Sequence, residues 1–274
     1  MHSDGGMKLL TLAPLALAAL LAAQAALGAQ DTTSGKIGDV QRSAGAAKKQ
    51  GGAPEEEEGG GWFFGGWHAF MHVTFGVWPR DTGQGYQSHP YAGGGPFVRE
   101  GVTDGRRFGS VSATYFADDQ STLRADHFSV EWAGGFIRRE IEFSAYWEPR
   151  PTGTDHLQMF RASFTVVPPL GAIGYWKLGA GVQVVTVGTD AATGPEIEAG
   201  VQLFPVRPFG LGATARVAPL TWSGGPEWSV GFVDLSANGS VFVGPFEIQA
   251  GYRWTRIGVG APFRGPTLGM RVWF

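Results

Sequence analysis

Apolar and polar residues alternate with a period of two along most of the chain between residues 106 and 274. In the last ten residues every even position from Leu268 to Phe274 is apolar, and Gly269, Arg271 and Trp273 lie between them. Such alternation places every second side chain on the same face of a β-strand. Turn-rich stretches divide the pattern into ten predicted strands, at 110–115, 127–132, 140–147, 160–166, 175–184, 196–203, 209–216, 228–242, 246–255 and 265–274. A hairpin at Asn238-Gly239 is an alternative end for the eighth strand.

Nearly every predicted strand has one wholly apolar face, with Trp or Phe near its ends. Strands that cross a bilayer must close on themselves, because lipid offers no partner for an open edge. The sequence therefore predicts an all-β fold, a transmembrane antiparallel up-and-down β-barrel of about 10 strands over residues 106–274. Eight strands are the alternative if an early pair is irregular, and 12 are possible if 62–78 contributes. A soluble β-sandwich also alternates.

The connections between the predicted strands alternate in length, which disfavours the sandwich. Long extracellular loops and short periplasmic turns are typical of outer-membrane barrels. Long polar or Gly-rich connections are predicted at 118–124, 150–155, 188–194, 219–227 and 258–264, and short ones at 134–135, 168–169, 205–208 and 243–245.

The N-terminal third of the chain has a different composition. Residues 1–29 predict a cleaved signal peptide, with Lys8 before an Ala/Leu-rich run and a possible true start at Met7. Residues 30–61 predict a disordered linker, since they are rich in Gly and charge. Residues 62–105 are predicted to form an aromatic-rich extension followed by a turn-rich loop, and whether 62–78 is a strand, a plug or an interfacial segment stays open.

The C-terminal strand at 265–274 resembles the C-terminal signature of bacterial outer-membrane β-barrels, and the chain resembles small Gram-negative outer-membrane proteins as a broad class. The resemblance names no specific characterised family. It implies the cell outer membrane as the location, with export through the signal peptide. It also implies two kinds of partner, outer-membrane lipid with lipopolysaccharide, and the assembly machinery that recognises the last strand. The oligomeric state is left open.

The predicted inner faces of the strands carry a balanced set of charges. Only 16% of residues are charged and the formal net charge is -3, so nucleic acid is not an expected partner. Six acids and six bases face inward: Glu131, Arg138, Glu140, Glu142, Arg161, Lys177, Glu196, Glu198, Arg216, Glu247, Arg253 and Arg271. Buried charges must be paired, so this set predicts a salt-bridge network that largely plugs a narrow lumen.

Three functions are compatible with such a barrel. A structural or interaction role through the barrel and its extracellular loops is the leading hypothesis. A narrow channel for small solutes is the first alternative, although a selective pore would favour one sign of charge. A lipid A-modifying hydrolase is the second.

The hydrolase hypothesis depends on His127, Ser129 and Glu131, which lie at alternate positions of one predicted strand. They contain the residue types of a nucleophile–base–acid triad. The His-x-Ser spacing distantly resembles lipid A 3-O-deacylases, but the Asn that follows the serine there is absent here, and the motif lies in strand two. Residues at i and i+2 are about 6.5 Å apart, so lumen filling is the favoured interpretation. No cofactor or metal is expected.

Overall fold

The structure, a computed structural model, describes residues 35–50, 84–86, 90–91, 98–100, 108–134, 137–151, 153–170, 173–223 and 230–274. The predicted signal peptide and the aromatic stretch at 62–78 lie outside these ranges. Among the described residues, no helix is long and apolar enough to cross a membrane.

Ten long antiparallel strands close into a barrel, and two short strands pair with each other. The elements are α1 (Lys36–Gln50), β1 (Gln84–Tyr86), β2 (Val98–Glu100), β3 (Phe108–Ala117), β4 (Arg124–Gly134), β5 (Ile137–Arg150), β6 (Gly153–Val166), β7 (Gly174–Val187), β8 (Asp190–Val206), β9 (Phe209–Trp222), β10 (Val230–Val243), β11 (Phe246–Ile257) and β12 (Phe263–Trp273). Each barrel strand pairs with the next along the chain, and β12 pairs with β3. The predicted ten-stranded up-and-down barrel is confirmed.

The register of β11 and β12 shows how the alternation is used. Glu247 lies opposite Arg271, and the next pair is Ile248 with Met270. The Glu247 side chain is 1% exposed inside the barrel, whereas Ile248 is 55% exposed on the outside. Polar residues near mid-height therefore face the lumen, and apolar residues cover the outer surface.

Several predicted connections are wrong in length. Only residues 188–189 join β7 to β8 and only 151–152 join β5 to β6, so the strands extend into stretches predicted as long loops. Gly188 takes φ 59°, which suits a two-residue hairpin. Residues 167–173 form a longer connection than predicted. The asymmetry between the two ends of the barrel is therefore weaker than expected.

The alternative turn at Asn238-Gly239 does not occur. Asn238 pairs with Gly212 on one side and with Gly251 on the other, so both ladders continue through it. Both partners are glycines, and their lack of a side chain leaves room for the Asn238 amide in the lumen.

The helix α1 corrects the expectation of a disordered linker over residues 36–50, whereas 30–34 and 51–61 lie outside the described residues. Ile37, Val40 and Ala44 lie on one face at helical spacing and are fully buried in the barrel mouth. The overall polar composition hid this short amphipathic pattern. The "α1 end" is defined here as the mouth that holds α1, and the "Phe274 end" as the opposite one.

Polar contacts fix the first turn of α1. The Glu148 carboxylate accepts hydrogen bonds from the backbone N–H groups of Lys36 and Ile37 at 3.2 and 3.1 Å. These donors have no partner within a helix, and a negative charge is favourable there. The Lys36 ammonium forms an ion pair with Asp118 at 2.8 Å and donates to the Pro262 carbonyl.

The burial of α1 can be tested by cysteine labelling, because the natural chain contains no cysteine. In Val40→Cys the thiol is expected to react with a polar maleimide far more slowly than in Gln41→Cys, since position 40 is buried and its neighbour is exposed. Both thiols should react equally fast after denaturation. Equal rates in the folded protein would show that α1 does not dock in the barrel.

Candidate functional site: the charged lumen

The inward-facing side chains form three layers along the barrel axis. An apolar cluster fills the α1 end and includes the three buried α1 residues together with Phe116, Leu123, Ala125, Tyr146, Leu157, Met159, Val185, Val187, Ala192, Ala218, Leu220, Trp222, Val230, Phe232, Ile257 and Phe263. A second apolar cluster fills the Phe274 end and consists of Phe108, Ala133, Val167, Tyr175, Phe204, Phe242 and Trp273. The charged residues lie between the two clusters.

Tyr91 packs against the cluster at the Phe274 end. Its ring meets Phe204 and Phe242 edge-on, with centroids 6.1 and 5.6 Å away. Its hydroxyl donates to the carbonyls of Val206 and Phe209. Partial burial raises the pKa of this phenol above its ordinary value. Tyr91, which lies outside the barrel strands, is therefore part of the apolar cluster at the Phe274 end.

Arg161 is the centre of the charged layer. Its Nη2 lies 3.0 Å from Glu140 and 2.9 Å from Glu142, and its Nη1 lies 2.9 Å from Glu198 and 3.4 Å from Glu196. A single guanidinium thus bridges carboxylates of β5 and β8 from its position on β6. All five side chains are almost inaccessible to solvent.

A second group of charges surrounds Asp234 on β10. Arg253 Nε lies 2.7 Å from Asp234, and Arg216 Nη1 lies 3.1 Å from it. Both arginines also reach Glu142, at 3.3 and 3.2 Å, so this group joins the one around Arg161. Thr255 donates to Asp234 at 2.6 Å. The network therefore runs across the barrel from β5 to β11.

Asp234 was not among the predicted lumen charges. It lies in phase with Val230 and Phe232, which belong to the apolar face of the predicted strand 228–242, but all three face inward. The direct cross-strand pairing of Asp234 with Arg216 is the signal that could have identified it.

The remaining predicted charges also face the lumen. Glu131 and Glu140 contact Arg138 at 2.8 and 2.9 Å. Arg271 lies 3.7 Å from Glu247, which also accepts a hydrogen bond from the Trp273 indole. Lys177 is buried, and it lines a cavity of about 120 Å³ within the charged layer.

The structure does not assemble the proposed triad of His127, Ser129 and Glu131. The Ser129 hydroxyl is 2.7 Å from that of Ser112, and His127 Nδ1 is 2.6 Å from the Ser144 hydroxyl. Glu131 instead pairs with Arg138. Each side chain has taken a partner on a neighbouring strand, at a position that the register places directly opposite or diagonal to it.

The imidazole of His127 has an arginine as a further neighbour, since Arg253 Nη1 lies 2.9 Å from its Nδ1. Within the part of the chain that the structure describes, no group of three His, Asp or Glu side chains has the arrangement of a metal site. The geometry of this layer is that of a cross-strand network of neutralised charges.

No protein-family model matches the chain, and no curated protein matches it. Solved β-barrels are similar at low identity. Neisserial surface protein A is 15% identical with a TM-score of 0.30, covering 61% of this chain and 96% of that one. The outer membrane protease OmpT from Escherichia coli is 8% identical with a TM-score of 0.38, covering 62% and 98%.

The translocator domain of autotransporter NalP from Neisseria meningitidis is 11% identical with a TM-score of 0.32, covering 77% of this chain and 98% of that one. Similarity at this level does not indicate what this chain binds or does, so its role is inferred from its own residues.

Because Arg161 lies at the centre of the charged layer, its substitution is expected to lower the free energy of unfolding substantially. In Arg161→Met four buried carboxylates lose a partner, and the free energy of unfolding should fall by about 3 kcal/mol. Denaturant titration of the detergent-solubilised barrel, followed by heat-modifiable gel mobility, measures this. Arg42→Met is the matched control, because that arginine forms an exposed pair with Asp39 and should cost less than about 1 kcal/mol. Similar losses for both variants would contradict the assignment of Arg161.

Proposed function

We propose that this chain is a Gram-negative outer-membrane protein whose barrel holds no continuous aqueous path, and which acts as a structural or interaction module through its barrel and connections. Export through the signal peptide at 1–29 and recognition of 265–274 by the assembly machinery belong to the same proposal. The single observation that carries it is the combination of an apolar outer belt with an inner network of paired charges.

The outer belt supports the membrane location. Many large apolar side chains on the outer face are about half exposed or more, including Leu178, Ile197, Val243, Leu268 and Phe274. A soluble protein rarely exposes an apolar surface that runs around its whole circumference. Hydrocarbon contact accounts for that surface, and closure of the sheet leaves no barrel strand with an unpaired edge.

The lumen supports a role other than solute transport. A molecule that entered at either end would first meet an apolar cluster of large side chains. Beyond it lie carboxylates and guanidinium groups paired at about hydrogen-bond distance, with Arg161 and Glu142 at the centre. Passage would require separating buried ion pairs, which is costly.

The hydrolase hypothesis finds less support. Ser129 and His127 face the lumen rather than the lipid, and neither contacts the other. An acyl substrate would have to pass one of the apolar clusters to reach them.

Planar-bilayer recording tests the closed lumen. The purified barrel is expected to give no nanosiemens-level steps, because the charged layer and both apolar clusters block the axis. Deletion of 35–50 should leave the conductance low, since it removes only the helix at the α1 end. Heat-modifiable gel mobility of the same proteoliposomes would verify that both proteins are folded and inserted. Regular nanosiemens steps from the intact chain would refute the proposal in favour of a channel.

A further inference from the structure

Charged side chains are rare on the outer face of the barrel, and they are not evenly distributed. Alternation in the ten strands leaves five of them outward: Arg124, Asp126, Arg139, Arg256 and Arg264. Four of the five, all except Arg139, lie near the α1 end on β4, β11 and β12. The strands β11, β12, β3 and β4 are consecutive in the sheet, so the four residues lie close together around one part of the barrel rim.

The register places two of the arginines side by side. Trp254 lies directly opposite Arg264, and Arg256 follows two residues later on the same outer face of β11. Diagonal neighbours of this kind have Cα atoms about 7–8 Å apart. On the other side of β3, Arg124 pairs with Ala117 at the end of the ladder. The name "outer arginine site" is used below for Arg124, Arg256 and Arg264.

The protein only partly neutralises this site. Arg264 Nε lies 3.5 Å from Asp119, whose other oxygen accepts a hydrogen bond from the Tyr252 hydroxyl at 2.7 Å. Arg124 donates to the backbone carbonyls of Ser121 and Leu123. Within the described residues Arg256 forms no ion pair. Its Nε is buried without a hydrogen-bond partner.

An arginine without a counter-ion is unfavourable next to hydrocarbon, so it belongs at the level of the lipid headgroups. Tyr252 and Trp254 lie on the same outer face just below the arginines, and such aromatic residues mark the membrane interface. A planar guanidinium binds phosphate through two parallel hydrogen bonds. Two adjacent guanidinium groups therefore match a phosphate held at this level.

We propose that the outer arginine site binds the phosphate-bearing headgroup of an anionic membrane lipid. This inference rests on the proposed membrane location. Arg256 supplies a positive charge that has no ion-pair partner among the described residues, and the Tyr252–Asp119 hydrogen bond positions Arg264 beside it. Tyr252 and Trp254 lie against the upper part of the acyl chains.

Native mass spectrometry of the full chain in detergent tests this site. The protein is titrated with phosphatidylglycerol, with phosphatidylcholine and with inorganic phosphate. Phosphatidylglycerol should be retained about tenfold better than phosphatidylcholine, and inorganic phosphate should not displace it at equal concentration. In Arg256→Gln the preference should fall several-fold. That substitution breaks no ion pair of the described protein, and Arg256→Lys should restore part of the preference.

Arg207→Gln is the control, because Arg207 is exposed in the turn between β8 and β9 at the opposite end of the barrel, and its substitution should leave the preference unchanged. An equal preference in wild type and Arg256→Gln would overturn the inference, as would displacement by inorganic phosphate, which would indicate a site for the free ion. Insertion into liposomes separates the two proposals. A wild-type barrel that does not insert refutes the proposed function, whereas one that inserts without a preference for anionic lipid refutes only the lipid site.

Discussion

Pairing of β12 with β3 is the constraint on which the rest of the structure depends. From Thr267 opposite Phe116 to Trp273 opposite Ser110, this ladder closes the sheet and separates an inside from an outside. Once the sheet is closed, successive residues of each strand point alternately into the lumen and to the outer surface. The outer belt, the charged layer and the rim arginines all follow from that one assignment. An open sheet would expose two unpaired edges and mix the two environments.

Closure also explains the composition of the lumen. A ten-stranded barrel encloses a narrow space that side chains can largely fill, and any charge in it must find a partner. Arg161 contacts four carboxylates, and Glu142 in turn contacts three arginines. Apolar residues and α1 fill most of the two ends, and the few buried charges at the α1 end, such as Lys36 with Asp118, are also paired. The interior is therefore polar at mid-height and apolar at both ends.

The sequence predicted the strand number and the inward position of twelve charges, because period two survives in nearly every strand. It did not predict that some apolar residues of the strands face inward. Leu220 and Trp222 face inward in the α1 end, and Asp234 lies in phase with Phe232. The helix was missed because three apolar residues carry its buried face. The hydrogen-bond partners of Ser129 and His127, which are Ser112 and Ser144, could not be predicted, because they depend on register, which one strand alone does not reveal.

The most direct test of the account is the accessibility of spin labels attached to single cysteines in liposomes. Outward positions Leu178, Leu211 and Ile248 are compared with inward positions Ser144, Gln183 and Ser240, in a chain that has no cysteine of its own. Labels at the outward sites should collide readily with oxygen and rarely with a water-soluble nickel chelate, and labels at the inward sites should collide little with either. Outward labels that collide more with the nickel chelate than with oxygen would show that the apolar faces do not meet lipid, and would contradict the account.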